Sequence, residues 1–166
     1  MSSNKNAKLQ KWLKRLISEE IIAHDLYIGS VLVCKPDQRN MINDMFVDIA
    51  NDELDDHAKN MIEWAMANGY DVPFKYKDYE KYASEASVKQ FNALKSGEDA
   101  DYYVDEAIKA ETDAISSYEE ALQMEDIPAD LLPTLTRNYY DELEHIDDLN
   151  SLKIACQAGL DYIYTS

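Results

Sequence analysis

The chain has 166 residues, of which 46% are hydrophobic and only four each are glycine and proline. This length and composition suit a protein with one buried core and exclude both a disordered chain and a fold of short strands and frequent turns. The chain has 33 acidic and 16 basic residues, which give a net charge of −17. This charge attracts cations and disfavours nucleic acid and anionic membranes as partners.

Hydrophobic residues recur every three or four positions along most of the chain, which is the spacing of an amphipathic helix. Four such stripes occur, at residues 9–31, 42–64, 104–121 and 135–160. Pro36 follows the first stripe, Gly69 ends the second, and Pro128 ends the third because proline lacks an N–H donor and clashes with the preceding turn. We therefore predict four helices of about 25–30 residues, joined in pairs by short turns.

The segment between the second and third helices, residues 70–100, is too long for a simple turn. It contains Pro73 and several tyrosines, and we expect a short helix within it around Tyr79–Leu94. A connection of this length can cross a helical bundle from end to end. The sequence thus predicts an all-α four-helix bundle of two hairpins joined by a long crossover, with residues 1–166 forming a single domain.

The first and third helices share one motif, in which an alanine follows a glutamate by three residues and a tyrosine follows the alanine by four. It occurs as Glu20-x-x-Ala23-x-x-x-Tyr27 and, 91 residues later, as Glu111-x-x-Ala114-x-x-x-Tyr118. The repeat indicates two related hairpins. A buried tyrosine needs a partner for its hydroxyl, so the symmetric placement predicts hydrogen bonds to the buried carboxylates.

Each apolar stripe contains a glutamate, and buried glutamates are rare unless they are paired or bound to something. In the first hairpin Glu20 lies 16 residues before Pro36, and Glu53 lies 17 residues after it. Antiparallel helices joined near Pro36 would bring both side chains to one level, roughly 24 Å from the turn at 1.5 Å per residue.

The second hairpin repeats this arrangement. Glu111 lies 16 residues before Ile127, and Glu142 lies 15 residues after it. Because the two hairpins pack together, the sequence predicts that four carboxylates meet at mid-height inside the bundle. Without bound cations, burying four negative charges close together would cost folding free energy, and some of the acids would have to take up protons.

Two histidines accompany these glutamates. His145 lies three residues after Glu142, on the same helix face, and His57 lies four residues after Glu53. Four carboxylates and two neutral imidazoles carry a charge of about −4, which two divalent cations would cancel. Oxygen and imidazole donors suit iron or manganese better than the sulfur-rich sites that select zinc or copper(I).

This pattern resembles the ferritin-like di-iron carboxylate proteins, and most closely their bacterioferritin, rubrerythrin and Dps-like branches. In that class a glutamate comes from each of two helices and a Glu-x-x-His motif from each of the other two. The resemblance covers essentially the whole chain and implies the metal ligands Glu20, Glu53, His57, Glu111, Glu142 and His145, the four glutamates also being the catalytic residues.

The resemblance further implies a function. It predicts two iron ions per chain, with manganese as the alternative metal, and a ferroxidase reaction in which O₂ or H₂O₂ oxidises Fe(II). It also implies a homo-oligomer, with iron storage if the oligomer is a hollow cage, or a role in protection against peroxide.

The second helix departs from the family pattern, because Asp56 stands where the Glu-x-x-His motif has its histidine. Either His57 acts as the ligand from the next position, helped by a local π-bulge, or Asp56 takes the ligand place. His24, one turn after Glu20, is expected to be a partly exposed histidine rather than a ligand.

Other polar and reactive residues have simpler expected roles. We expect five acids to form solvated surface only: Glu19, Asp55, Glu119, Glu120 and Glu144. Cys34 and Cys156 are too few for a disulfide framework, so they are predicted to be buried thiols near one end of the bundle. The basic residues before Leu16 are expected to open the first helix. Together with the lack of an apolar run long enough to span a membrane, these features predict a cytoplasmic protein.

An alternative hypothesis is a structural or interaction protein that kept the bundle and altered or lost the metal chemistry. The displaced His57 leaves room for it. Tyrosines of the crossover and the tail also favour it, because tyrosine is common at interfaces. These are Tyr76, Tyr79, Tyr82, Tyr162 and Tyr164.

Overall fold

A computed structural model describes residues 3–159, and every regular element within that range is a helix. Helix α1 spans Ser3–Val33, and α2 runs through three consecutive segments, Arg39–Asn51, a π-helical turn Asp52–Ala58, and Lys59–Ala67. The remaining helices are α3 (Tyr76–Tyr82), α4 (Glu85–Asn92), α5 (Ala100–Leu122) and α6 (Leu132–Gln157). Three residues of the predictions, Leu160, Tyr162 and Tyr164, lie outside the described range.

The four long helices confirm the predicted all-α four-helix fold, and local sequence explains several of their ends. Gly69 adopts a φ of 77°, the left-handed conformation that commonly terminates a helix, and the amide of Tyr70 bonds back to the carbonyl of Ala65 at 2.9 Å. At the start of α6, Pro133 lies in the first turn, where its missing N–H has no helical partner to lose.

The crossover contains two short helices instead of the single one predicted around Tyr79–Leu94. Ala83 and Ser84 adopt extended backbone angles and separate α3 from α4. The Ser84 hydroxyl accepts a hydrogen bond from the Ser87 amide at 3.1 Å, which caps the new helix. An N-cap signal within the predicted span therefore divides it.

As expected, the crossover spans the bundle from end to end and returns the chain to the end of the bundle at which α1 finishes. There, backbone hydrogen bonds join the end of α1 to the start of α5, from the Gly97 amide to the Val33 carbonyl at 2.7 Å and from the Lys35 amide to the Glu98 carbonyl at 3.1 Å. Helices α1 and α5 are therefore antiparallel, and α1 and α6 run in the same direction.

Two apolar clusters fill the bundle, one toward each end, and all four long helices contribute to both. One cluster includes Tyr27, Phe46, Val104 and Leu149, and the other includes Leu13, Met61, Tyr118 and Leu135. Each fully buried aliphatic or aromatic side chain contributes about 1.5–3 kcal/mol. Between the clusters, at mid-height, lies the buried polar layer that contains the predicted glutamates.

The basic N-terminal segment forms part of α1, as expected. Leu9, Leu13 and Leu16 are buried in the second cluster, while Lys14 lies over the ring of Tyr82 at 4.7 Å from its centroid. No helix in the described part of the chain combines the length and apolar character needed to cross a membrane. The prediction that residues 1–166 form one domain stays a prediction.

Candidate metal centre

Six buried side chains meet at mid-height, and they are the six that the sequence predicts as metal ligands. Glu20 comes from α1, Glu53 and His57 from α2, Glu111 from α5, and Glu142 and His145 from α6. The most exposed of them, His145, shows 5% of its surface. The level that was predicted from counting residues to each turn therefore agrees with the structure.

These side chains form two groups, each with donor atoms that all lie within 4.8 Å of one another. The first group, Glu20, Glu53, His57 and Glu142, is here called the Glu20 half; the second, Glu53, Glu111, Glu142 and His145, is called the Glu111 half. Glu53 and Glu142 belong to both. Two adjoining four-donor groups that share two carboxylates match the donor set of a two-metal carboxylate centre.

Both imidazoles turn their Nδ1 atoms toward the centre. His57 Nδ1 lies 2.9 Å from Glu142 Oε1 and 3.3 Å from Glu20 Oε2. His145 Nδ1 lies 3.1 Å from Glu53 Oε1 and 3.6 Å from Glu111 Oε1. The two rings are inclined to each other by 28°, with centroids 5.9 Å apart.

The π-helical turn explains how α2 supplies its histidine. A π-helix has more residues per turn than an α-helix, so a residue four positions after Glu53 falls on the same face. His57 is consequently fully buried in the centre, whereas Asp56 points outward, where it pairs with Arg137 and accepts a hydrogen bond from Asn60 at 2.7 Å. Of the two alternatives for this helix, the structure places His57 among the donors.

Two aspartates hold the outer edges of the histidine rings, and the sequence analysis assigned them no role. Asp141 Oδ2 lies 2.9 Å from His57 Nε2, and Asp52 Oδ2 lies 3.0 Å from His145 Nε2. Each aspartate directly precedes the shared glutamate of its own helix and reaches the histidine of the other helix. The repeated Asp-Glu pair, Asp52-Glu53 and Asp141-Glu142, was the signal that could have found them.

The predicted hydrogen bonds from the repeated tyrosines are confirmed, and they cross between hairpins. Tyr27 of α1 donates to Glu111 Oε1 at 2.5 Å, and Tyr118 of α5 donates to Glu20 Oε1 at 2.8 Å. Each tyrosine thus binds the glutamate of the other copy of the motif. These contacts hold Oε1 of each glutamate, while Glu20 Oε2 lies beside His57 Nδ1 and Glu111 Oε2 has no hydrogen-bond partner among the described residues.

Several buried polar atoms of the centre have no hydrogen-bond partner among the described residues. They are both carboxylate oxygens of Glu53 and Glu142, Oε2 of Glu111 and Nδ1 of His145. The approach of His145 Nδ1 to Glu53 Oε1 at 3.1 Å is thus an ion-pair contact rather than a hydrogen bond. Buried polar atoms are almost always paired, so this arrangement fits donors for a bound cation.

The electrostatics also indicate that the centre needs positive charge. Burial, together with the other carboxylates, raises the pKa of Glu53 well above its usual range, and burial beside Glu142 does the same for Glu111. The pKa of Glu20 is raised by burial and by Glu142. Burial alone would lower the pKa of each histidine, but the surrounding carboxylates raise both.

Glu142 is the exception among the four carboxyls. Burial would raise its pKa, but contacts with Glu111, His145 and His57 outweigh burial and hold it well below the usual range. Without metal, the centre therefore retains protons on its histidines and on some of its carboxyls. Bound cations would displace these protons.

Outside the centre, the structure also shows where Glu19, His24 and the two cysteines lie. Glu19 was expected on the solvated surface, which is wrong: it is buried and accepts a hydrogen bond from the Ser84 amide at 2.9 Å, fastening the crossover to α1. His24 is partly exposed beside Asp25, outside the centre, as predicted. Cys34 and Cys156 are free thiols near the same bundle end, although Cys156 is only partly buried.

Comparison with known proteins supports the fold. No protein-family model matches the chain, and no curated protein matches it. Among solved structures, the chain is similar to a dodecameric thioferritin, the bacterioferritin-related protein from Bacteroides fragilis. The match has a TM-score of 0.78 and 18% identity, and it covers 92% of this chain and 88% of that chain. The chain therefore has the ferritin-like fold that the sequence predicts.

Proposed function

We propose that this protein binds two iron ions in the buried centre and oxidises Fe(II) with O₂ or H₂O₂. The observation that carries the proposal is the set of buried carboxylate and imidazole atoms that converge without hydrogen-bond partners. Glu20 and His57 would hold one ion, Glu111 and His145 the other, and Glu53 and Glu142 both. Manganese remains the alternative metal for the same donors.

The chemistry supplied by the bound metal is electron transfer from two Fe(II) ions, which reduces one O₂ to H₂O₂, or one H₂O₂ to two waters, with uptake of two protons. The negative charge of the protein's carboxylates favours this oxidation. Four carboxylates neutralise the ions in a dry interior, and they stabilise ferric iron more than ferrous iron because its charge is higher. The four glutamates are therefore the proposed catalytic residues.

The surrounding residues keep the donors in place. Asp52 and Asp141 accept from the outer nitrogens of the imidazoles, which leaves each Nδ1 as the metal-binding nitrogen. Tyr27 and Tyr118 orient the two unshared glutamates. Asp52 is 44% exposed at its side chain, so the Asp52 side of the centre also lies nearest to solvent and attracts cations.

The alternative, a structural or interaction bundle without metal chemistry, predicts that the acids would be neutralised from within the protein. Among ion pairs of the described residues, the four buried glutamates pair with His57 and His145 and with no lysine or arginine, so the protein supplies at most two positive charges for four carboxylates. The exposed Tyr76 in the crossover is compatible with an interface but explains nothing about the centre. The metal-binding function is therefore favoured.

We also propose a homo-oligomer in the cytoplasm. The structural neighbour is dodecameric, and a closed assembly of this chain would turn ferroxidase activity into iron storage or peroxide protection. Native mass measurement would show one defined oligomer. A monomer at micromolar concentration would contradict the storage role without affecting the metal centre.

The function is tested by loading the purified, metal-free protein with Fe(II) under argon and then adding O₂ or H₂O₂. We expect ferric absorbance to rise rapidly, at about two irons per chain. Glu111→Ala should abolish the rapid phase, because it removes an unshared ligand. Glu119→Ala is the matched control, since Glu119 is an exposed acid on the same helix. Bound iron that is not oxidised would favour the structural alternative.

A further inference from the structure

We infer that Asn138 makes the two halves of the centre inequivalent, so that the Glu20 half takes up its metal ion before the Glu111 half. This inference rests on the proposed binding of two metal ions. It adds the order in which the positions fill and the residue that sets that order. Asn138 acts through Tyr118 and Glu20, so it is a positioning residue.

The two hairpins of the internal repeat differ at one buried position. The two shared glutamates occupy matching places on α2 and α6, and the residue four positions before each faces the bundle interior. Before Glu53 this residue is Ile49, and before Glu142 it is Asn138. Both are fully buried. One hairpin thus places a polar side chain where the other places an apolar one.

Asn138 lies in a chain of hydrogen bonds that ends on a proposed ligand. Its Nδ2 donates to the Tyr118 hydroxyl at 3.2 Å, and that hydroxyl donates to Glu20 Oε1 at 2.8 Å. A metal-bound Glu20 carries no proton, so Tyr118 must donate to it. The phenol oxygen must then accept, which assigns the amide nitrogen of Asn138, rather than its oxygen, to this contact.

Tyr27 in the other half has no equivalent of Asn138. Its hydroxyl donates to Glu111 at 2.5 Å, and its ring packs edge-on against Phe46, but its oxygen accepts no hydrogen bond from the described residues. The Tyr27 bond is the shorter of the two. The halves therefore differ in whether the phenol oxygen itself accepts a hydrogen bond, and the half in which it does has the longer tyrosine–glutamate bond.

Keeping Asn138 at this position is costly for the fold. Its Oδ1 is buried and has no hydrogen-bond partner among the described residues. An isoleucine such as Ile49 would fill the position without leaving a polar atom unpaired. The polar side chain is thus better explained by its contact with Tyr118 than by packing.

The held phenol makes Glu20 the better prepared ligand. With Tyr118 fixed from both sides, Glu20 keeps Oε1 bound and presents Oε2 to the centre, 3.3 Å from His57 Nδ1. Glu111 is bound by a phenol whose oxygen accepts no hydrogen bond among the described residues, so its carboxylate is held by one supporting contact fewer before the ion binds. A site whose ligands are already ordered loses less conformational entropy on binding and fills first.

The order of filling is tested by crystallising the metal-free protein with one Zn²⁺ per chain and measuring anomalous scattering at the two positions. Zinc is redox-inert, so the result does not depend on oxidation. One net hydrogen bond corresponds to about a fivefold difference in affinity, and we expect the Glu20 half to hold about fivefold more zinc than the Glu111 half. Equal occupancy in the wild-type protein would overturn the inference.

The role of Asn138 itself is tested with Asn138→Leu, which removes the amide at similar volume. The two occupancies should then agree within about twofold. Ile49→Leu is the matched control, because it alters packing at the corresponding position of the other hairpin and should leave the unequal occupancies unchanged. If Asn138→Leu fails to fold, Asn138→Ala is the second variant, and it too has no side-chain donor for Tyr118.

Two outcomes separate this inference from the proposed function. Unequal occupancy that persists in the Asn138 variant would overturn the role of Asn138 while leaving the centre intact. Zinc absent from both positions would instead contradict metal binding, and with it the proposed function.

Discussion

The apolar clusters and the polar layer between them are equally buried, but burial has opposite effects on the stability contributed by their residues. In the clusters each side chain contributes by leaving water, so truncation destabilises the fold. In the layer Glu53 loses hydration while neither of its oxygens gains a hydrogen bond, so the metal-free protein would be more stable without this charge. At mid-height, therefore, an acid that serves the proposed function lowers the stability of the metal-free fold.

The largest effect is expected from Glu53→Gln, which should raise the stability of the metal-free protein and remove metal binding. Glu53 has both oxygens unpaired and belongs to both halves, so the amide removes a shared ligand and also relieves the cost of a buried acid. Thermal unfolding should show a metal-free variant that is more stable than wild type by about 2–4 °C for each kcal/mol gained. Added Zn²⁺, which should raise the wild-type melting temperature, should have almost no effect on the variant.

A truncation in an apolar cluster should have the opposite consequences. Leu135→Ala removes a fully buried side chain and is expected to cost about 2–5 kcal/mol of unfolding free energy. Denaturant unfolding would measure this loss. Metal stoichiometry should stay unchanged, because Leu135 belongs to an apolar cluster and to neither donor group. Leu32→Ala, at a 68% exposed position, is the control and should change little.

A smaller effect is expected at the aspartates that hold the histidines. Asp141→Asn weakens the contact that orients His57, and such changes typically reduce metal affinity about 10- to 100-fold. Competition with a chromophoric chelator would measure the change. Asp55→Asn, an exposed position on α2, should match wild type. An unchanged affinity in Asp141→Asn would show that His57 is positioned by packing alone.

The pH dependence of the metal-free protein's stability should also distinguish the polar layer from the apolar clusters, which carry no titratable charge of this kind. Glu20, Glu53 and Glu111 have raised pKa values, and so do both histidines, so the folded state keeps protons that the unfolded state releases above about pH 4.5 and 6.5. Stability should therefore fall as pH rises from 5 to 8, by about 1.4 kcal/mol per pH unit for each extra proton retained. The lowered pKa of Glu142 opposes this only below about pH 4.5.

Thermal melts across this range would show that slope and its cause. The slope should be shallower in Glu53→Gln, which lacks one of the protons, and it should disappear when Zn²⁺ replaces the protons. A metal-free protein that became more stable from pH 5 to 8 would mean that the acids of the layer are neutralised in another way.

The sequence predicted the bundle well because its period and breakers are local signals. Counting residues from Pro36 and Ile127 placed the four glutamates at one level, and the motif repeat predicted the tyrosine contacts. The π-helical turn at Asp52–Ala58 was suspected only because His57 stood one residue late. Such a turn has no reliable sequence signal of its own, which left the choice between Asp56 and His57 open.

The predictions that failed, and the residues that were missed, depend on contacts distant in sequence. Glu19 is buried because the crossover folds over it, and periodicity on α1 alone carries no information about that segment. Asp52, Asp141 and Asn138 matter because they reach another helix, which only the packed bundle shows. The break at Ala83 and Ser84 was missed because a strong N-cap was hidden within an apolar pattern.

The most direct test of the central claim is an anaerobic calorimetric titration of metal-free protein with Fe(II). The account predicts binding of about two ions per chain in wild type and loss of both in Glu142→Ala, since Glu142 contributes to each half. Binding that survives in Glu142→Ala, or no binding in wild type, would contradict a di-metal centre at these residues.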